Sequence, residues 1–378
     1  MYTTVPISVL SFFGSLVVTL LIPSYLRAKN LPVLLSIFWL CLTGLCIGIN
    51  TAGWQESVEI KWKPYCEFAI RIIYASTFAL QCCSLLLLRR LEAIAATRFV
   101  SLTATALRKR LYSEIFVGAI LPAIYIALAI INQGHRFDII EDFGPNMSIY
   151  PSALSIIFSV LPPLLTSLIA ITYAILCGRW LVLRRRQLAA VLSSSGTGVS
   201  KSQFVRLFGL TCLELFWTVP INWTIQMQNV FNRSASGTIL QPYVSWNFVH
   251  EGFSFIGQYT IEELEMSDIG RKNLSIQYLG QLSIPISCML FFIFLGTSSE
   301  VSRDLRGKVA SLYHIFCRIP VTKSNGPKRE QASSDRTETD YEHSFQNEVP
   351  MKLFDEQSGG EIRIEVMVEK VELKHNFL

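Results

Sequence analysis

Along this chain of 378 residues, apolar runs of membrane-crossing length alternate with polar connectors seven times, and a long polar stretch follows the last run. The runs are Val5 to Leu26, Leu31 to Gly53, Cys66 to Leu88, Leu111 to Ile131, Leu154 to Cys177, Leu207 to Met227 and Leu279 to Leu295. A helix rises ~1.5 Å per residue, so roughly 20 apolar residues cross a hydrocarbon core about 30 Å thick. The runs are continuously apolar, whereas a barrel strand alternates lipid-facing and lumen-facing positions. The pattern predicts an all-α membrane protein, a seven-transmembrane helix bundle over residues 1–305, with a cytoplasmic, largely disordered C-terminal tail over 306–378. The first run lacks a basic leader and a small-residue cleavage site, and so reads as a retained helix rather than a signal peptide.

Composition agrees: 51% of residues are hydrophobic and the mean hydropathy is +0.40. Charge then orients the bundle. Fourteen basic residues, among them Arg27, Arg89, Arg90, Arg98, Arg108, Lys109, Arg110, Arg184, Arg185, Arg186 and Arg206, fall in the connectors on one side, against six on the other. The basic side is expected to be cytoplasmic, which puts the N-terminus outside. The net charge of +5 follows from this bias and does not suggest nucleic-acid binding. Of nine cysteines, only Cys66 stands where an extracellular bridge could form, and the connector from Asn132 to Pro151 offers it no partner. No disulfide is therefore expected between the third helix and that connector. Cys177 and Cys317, near the cytoplasmic surface, are palmitoylation candidates or free thiols.

Polar residues inside the runs are informative because charges at membrane depth face a bundle interior or a cavity. Glu67 and Arg71, four apart on the third helix, share a face and can pair, either as a structural ion pair or within a ligand site. Glu214 in the sixth run has no partner visible in sequence. Pro162, Pro163, Pro220 and Pro285 each remove a backbone donor and favour kinks. No catalytic constellation is present, so the chain is not expected to be an enzyme. His135, His250, His314, His343 and His375 lack metal-ligand spacing, and no cofactor motif occurs. The seventh run holds no lysine to carry a retinal Schiff base.

The connector Gln133-Gly134-His135-Arg136-Phe137-Asp138-Ile139-Ile140-Glu141-Asp142-Phe143-Gly144-Pro145 and the later Tyr243-Val244-Ser245-Trp246-Asn247-Phe248-Val249-His250 are distinctive. With Arg89-Arg90-Leu91 and Phe291-Phe292-Ile293-Phe294-Leu295-Gly296, they resemble the fungal mating pheromone receptors of the a-factor-receptor type, the class D G-protein-coupled receptors, over roughly residues 5 to 305. In the tail, Gly359-Gly360 with Ile362, Ile364, Val366 and Val368 is similar to basidiomycete members.

The resemblance implies a plasma-membrane receptor for a farnesylated peptide pheromone, signalling through a heterotrimeric G protein to a mitogen-activated kinase cascade. It implies a peptide-reading rim of His135, Asp138, Glu141 and Asp142, faced by Trp246, His250 and Glu251, with Glu67, Arg71, Asn222 and Gln226 near the outer helix ends. Trp246 and His250 can equally hold a folded lid together. Arg89, Arg90, Arg108, Lys109, Arg110, Arg184, Arg185, Arg186 and Arg206 are the candidates to face the G protein. They also suit anionic membrane lipid, at about 1 kcal/mol each. A second copy of the chain, in a homodimer, is admitted as a partner. The Asp-Arg-Tyr and Asn-Pro-x-x-Tyr signatures of rhodopsin-like receptors are absent.

The rival reading is a seven-helix small-molecule transporter, against which no similarity between runs one to three and five to seven can be found. An orphan, non-mating receptor of the same family is the other alternative. Residues Val301 to Phe316 read as an amphipathic helix on the inner surface. Beyond Val321, Ser324, Ser333, Ser334, Thr337, Thr339 and Ser344 are candidate phosphorylation sites. Sequons stand at Asn146, Asn222, Asn232 and Asn273, of which Asn222 lies within a run and is sterically unavailable, and Asn146 and Asn232 are the plausible acceptors.

Overall fold

In a computed structural model of the chain, all seven predicted crossings are helical. The structure describes residues 5–96, 104–183, 201–231 and 240–297. Arg98, Arg184, Arg185, Arg186, Asn232, Cys317 and the whole tail lie outside them. The helices long and apolar enough to cross a membrane are span 1 (Val5–Arg27), span 2 (Leu31–Gly53), span 3 (Lys63–Ala95), span 4 (Ala104–Ile131), span 5 (Ala153–Leu183), span 6 (Ser202–Gln228) and span 7 (Gly270–Gly296).

Two departures from the hydropathy reading have an evident local cause. Span 1 is not one continuous helix: it breaks after Thr19 and resumes at Ile22, with Pro23 in the first turn of the second piece, where a missing N–H is tolerated. Span 7 begins nine residues before its apolar run. The Ser267 hydroxyl accepts the Gly270 N–H at 2.9 Å and so starts the helix in polar sequence.

Spans 1 and 2 pack through small residues. Ser8 Oγ donates to the Gly48 carbonyl at 3.0 Å and Ser15 Oγ to that of Cys41 at 3.3 Å. A Cβ on Gly44 would run into Ser15 Oγ, so glycine sets the approach of these two helices, as small residues do where lipid offers no hydrophobic drive to association. Across the bundle, Val18, Leu21, Ile37, Leu40, Leu87, Leu91, Phe204, Leu207, Phe291 and Leu295 form a buried core joining spans 1, 2, 3, 6 and 7. Large apolar side chains such as Val9, Phe13, Phe38, Leu165, Ile175 and Phe216 are exposed on the outer faces of the helices, where a bilayer would cover them.

The prolines act on spans 4 and 5 through the backbone. A proline cannot donate to the carbonyl four residues earlier, and in lipid that carbonyl needs another donor. Each of these spans widens into a π-helical turn just before its prolines, Phe116–Ile120 ahead of Pro122 and Ile156–Val160 ahead of Pro162 and Pro163. The Gly118 carbonyl, left by Pro122, accepts from Trp39 Nε1 of span 2 at 3.1 Å. The Ser159 carbonyl, left by Pro163, accepts from the Tyr125 hydroxyl of span 4 at 2.8 Å. Tyr125, 2% exposed, also accepts from Gln226 Nε2 of span 6 at 3.0 Å and stacks on Tyr74 of span 3, the ring centroids 4.7 Å apart. One side chain thereby ties four spans.

One end of the bundle carries a three-stranded sheet that hydropathy did not predict, in the order β2-β1-β3. Strands β1 (Phe137–Ile140) and β2 (Gly144–Asn146) form an antiparallel hairpin between spans 4 and 5. Strand β3 (Ile256–Tyr259), between spans 6 and 7, pairs parallel with β1, Asp138 opposite Gly257. Phe137 and Ile139 of β1 pack on the buried Trp54, Cys66 and Ile70, which seats the sheet on the ends of spans 2 and 3. Gly144 turns the hairpin at φ +74°, and a Cβ there would stand 3.0 Å from Asn50 Cβ and 3.1 Å from Trp54 Cε3.

Replacing Tyr125 with phenylalanine keeps the volume and strands both the Ser159 carbonyl and the Gln226 amide. Tyr125→Phe is expected to destabilise the purified protein in detergent by about 1–3 kcal/mol. Denaturant unfolding at the wild-type midpoint would disprove the tie.

Candidate functional site

Beneath the sheet, two adjoining hollows enter the bundle. The inner one, about 150 Å³, lies among spans 2, 3, 6 and 7 and is roofed by Ile140, Pro145, Asn146 and Met147 of the hairpin. Polar side chains enter it at helical spacing: Thr43 and Asn50 from span 2, Asn222 and Gln226 from span 6, Gln277 and Gln281 from span 7. The outer hollow, about 560 Å³, is lined by His135, Asp138, Ser148, Tyr150, Gln241, Tyr259 and Asn273 among others. The two share Ile140 and Gln277 in their walls and so adjoin one another.

His135 and Asp138 form a built pair on the wall of the outer hollow. Asp138 is 2% exposed, and its Oδ1 stands 2.6 Å from His135 Nε2. An ionised carboxylate only accepts, so Nε2 carries hydrogen, and on the other side of the ring Nδ1 lies 3.0 Å from the Ser148 hydroxyl. Gly257 on β3 admits the carboxylate: a Cβ there would overlap Asp138 Oδ1.

Other residues of the acidic connector hold backbone. Asp142, in the left-handed region at φ 66°, accepts the Glu56 N–H on Oδ1 at 2.9 Å, while its own N–H donates to the Trp54 carbonyl at 2.9 Å. Glu141 Oε2 accepts the Ile261 N–H at 2.8 Å, joining the β1–β2 turn to the segment that leads into span 7. Glu67 and Arg71 do share a face, but Arg71 Nη1 donates to the Glu67 backbone carbonyl at 2.7 Å and stays 3.9 Å from the carboxylate. That carboxylate accepts instead from Arg136 Nε, 2.6 Å away in the connector before β1. The i,i+4 reading missed this partner because Arg136 is 69 residues further along the chain.

Trp246 and His250 lie outside both hollows. Their rings stack with centroids 3.9 Å apart, and the imidazole contacts the carbonyls of Trp246 and Ile130, which fastens the connector to the end of span 4. Glu251 is exposed beside them. Of the residues singled out in the sequence, His135 and Asp138 meet in the outer hollow and Asn222 and Gln226 in the inner one. Glu214 finds a partner in Ser287, whose hydroxyl donates to Oε2 at 2.9 Å and bridges spans 6 and 7. Thr43, Asn50, Gln277 and Gln281 were not singled out, although their amides and hydroxyl recur at intervals of four or seven in apolar sequence.

At the opposite end, Arg90 Nη1 donates to Asn30 Oδ1 at 2.9 Å and Arg110 Nε to Glu114 Oε1 at 2.8 Å. Arg89 reaches Ser113 Oγ at 3.4 Å and Arg206 reaches Thr297 Oγ1 at 3.0 Å. Arg108 and Lys109 are exposed on the first turns of span 4.

Comparison with known proteins bears on what this arrangement does. The profile of the STE3 family, described as "Pheromone A receptor", matches residues 6–312. "Pheromone receptor 1" of Ustilago hordei is 30% identical over 311 residues, covering 82% of this chain and 84% of that protein. "Pheromone receptor 2" of Mycosarcoma maydis is 33% identical over 292 residues, 77% and 81% of the two chains. The "Pheromone M-factor receptor" of Schizosaccharomyces pombe is 26% identical over 310 residues, 79% and 76%. No solved structure matches the chain significantly.

The Glu67–Arg136 pair joins span 3 to the sheet connector with both side chains about a third exposed. Such a pair is expected to couple by about 0.5–1 kcal/mol in a double-mutant cycle of Glu67→Gln and Arg136→Gln, and the coupling should shrink with added salt. Salt-independent coupling, or none, would remove this contact as an anchor of β1.

Proposed function

The chain belongs to the pheromone A receptor family, and from that premise we propose that it detects a farnesylated peptide mating pheromone and activates a heterotrimeric G protein that feeds a mitogen-activated kinase cascade. It is a multi-pass membrane protein with seven spanning helices, its expected place is the plasma membrane, and its relatives are receptors rather than enzymes. The observation that carries the proposal is the pair of adjoining hollows under the sheet, one lined by polar connector residues and the other set within the helix bundle. A prenylated peptide has an apolar end that partitions into lipid and a peptide end that needs polar partners, so a site at the end of a membrane bundle suits both.

On this reading the sheet end faces outward and binds pheromone, through His135 and Asp138 in the outer hollow and Asn222 and Gln226 in the inner one. Glu67, Arg71, Glu141 and Asp142 hold the frame of the site, and Trp246, His250 and Glu251 belong to a lid over the end of span 4. The basic end faces the cytoplasm. There Arg108 and Lys109, exposed and projecting from the start of span 4, are the foremost candidates for G-protein contact, while Arg89, Arg90 and Arg206 brace neighbouring segments and Arg110 pairs with Glu114 along its own helix. Residues 306–378 form the cytoplasmic tail.

The test expresses the chain in a fungal cell lacking its own pheromone receptor and reads a G-protein-dependent reporter against synthetic peptides, each with and without farnesyl. A response that falls by roughly a hundredfold or more without the lipid is expected. A lipid-independent response would discard the farnesyl part of the proposal. Silence across a broad panel, with surface expression verified, would favour a non-mating receptor or a transporter.

A further inference from the structure

The inner hollow contains an unusual set of unpaired polar atoms. Thr43 Oγ1, Asn50 Nδ2, Tyr74 Oη, Asn146 Nδ2, Gln226 Oε1 and Gln281 Oε1 are buried without a hydrogen-bond partner, and all six residues line this one cavity. Thr43 and Asn50 are fully buried, Gln226 is 4% exposed and Gln281 8%. Their orientations are fixed from the other side. Gln281 Nε2 donates to the Phe143 carbonyl at 3.3 Å, which turns Oε1 away from that partner. Tyr125 gives its hydrogen to Ser159, so its oxygen must accept from Gln226 Nε2, and Gln226 Oε1 is left over. Asn50 Oδ1 is engaged by the Tyr65 hydroxyl at 2.8 Å, leaving Nδ2.

Buried polar groups are rarely left unpaired, because each has given up water without replacement. Six converging on one cavity mark a place where a partner is missing, and the chemistry of the six specifies it. Two amide oxygens ask for N–H donors, two amide nitrogens ask for acceptors, and two hydroxyls serve either role. No Asp, Glu, Lys, Arg or His lines the cavity. A charged group would enter it with no countercharge, whereas a secondary amide brings one donor and one acceptor and no net charge.

We infer that the inner cavity reads an uncharged, amide-bearing stretch of the ligand, backbone N–H groups donating to Gln226 and Gln281 and a carbonyl accepting from Asn50 or Thr43. This deepens the receptor reading and rests on it: the cavity is the part of the pheromone site that recognises main chain, and it excludes peptides with a charged residue at that depth.

The test has two independent arms. In cells, the most potent farnesylated peptide of the panel is compared with versions singly N-methylated along its backbone, on the wild type and on Gln281→Leu and Thr43→Val. Methylation at one position is expected to weaken the wild-type response about tenfold, the loss of one hydrogen bond, and to have no further effect in Gln281→Leu. Thr43→Val, nearly isosteric, should reach the surface normally and respond about threefold or more less sensitively. Wild-type potency in both variants overturns the inference and leaves the cavity to water. In the second arm, purified protein is melted with N-methylacetamide, a bare secondary amide. Protection of the wild type beyond that of Gln281→Leu is expected, and equal effects overturn the amide assignment even if no pheromone activates the cells. A silent wild type with selective amide protection would instead fault the receptor's assumed ligand and keep the cavity's chemistry.

Discussion

A bilayer offers no water to a backbone carbonyl, and this constraint organises the middle of the bundle. Pro122 and Pro163 each withhold an N–H that a regular helix would supply, and the freed carbonyls of Gly118 and Ser159 are met by Trp39 and Tyr125 from adjacent spans. The satisfying groups are side chains, and they come from other helices, so the defect in one span becomes a bond between two. Span 2 is thereby attached to span 4 and span 4 to span 5. The Tyr125 oxygen, already committed, then orients Gln226 toward the inner cavity. The orientation of Gln226 in the candidate site thus depends on Pro163, 63 residues away from it in sequence.

The sheet imposes the second level of order. Its central strand comes from the connector of spans 4 and 5 and its parallel neighbour from that of spans 6 and 7, so two connectors become one plate above the cavities. Asp142 and Glu141 reinforce it by accepting main-chain N–H groups of two further segments, at Glu56 and Ile261. Carboxylates spent on backbone donors make a rigid roof, and His135 with Asp138 is displayed from that roof into the outer hollow.

The seven crossings were legible because membrane thickness writes itself into sequence as run length, and continuous apolar runs have one solution. The break in span 1 and the early start of span 7 were not, since they depend on the local geometry of Pro23 and on the cap from Ser267. The sheet escaped notice for a different reason: Phe137–Ile140 is only four residues, and its parallel partner at Ile256–Tyr259 is separated from it by two spans. The Glu67–Arg136 contact was hidden in the same way. Within the cavity, Asn222 and Gln226 were legible as polar residues near a helix end. Thr43, Asn50, Gln277 and Gln281 could have been found by the same helical spacing, but neutral amides draw less attention than charges. That Tyr125 sets the direction of Gln226 appears only when three helices are assembled.

The bond between Trp39 and Gly118 makes the order of inherited changes matter. A chain that exchanged Pro122 for an ordinary residue would give the Gly118 carbonyl a second donor beside the Trp39 indole, which one oxygen with two lone pairs can accept; a chain that lost Trp39 first would strand the carbonyl in lipid. Only the second change passes through a state with an unmet polar group at membrane depth. Descent within such a lineage therefore lets the proline go first and the tryptophan only afterwards, while the surrounding leucines and isoleucines change freely.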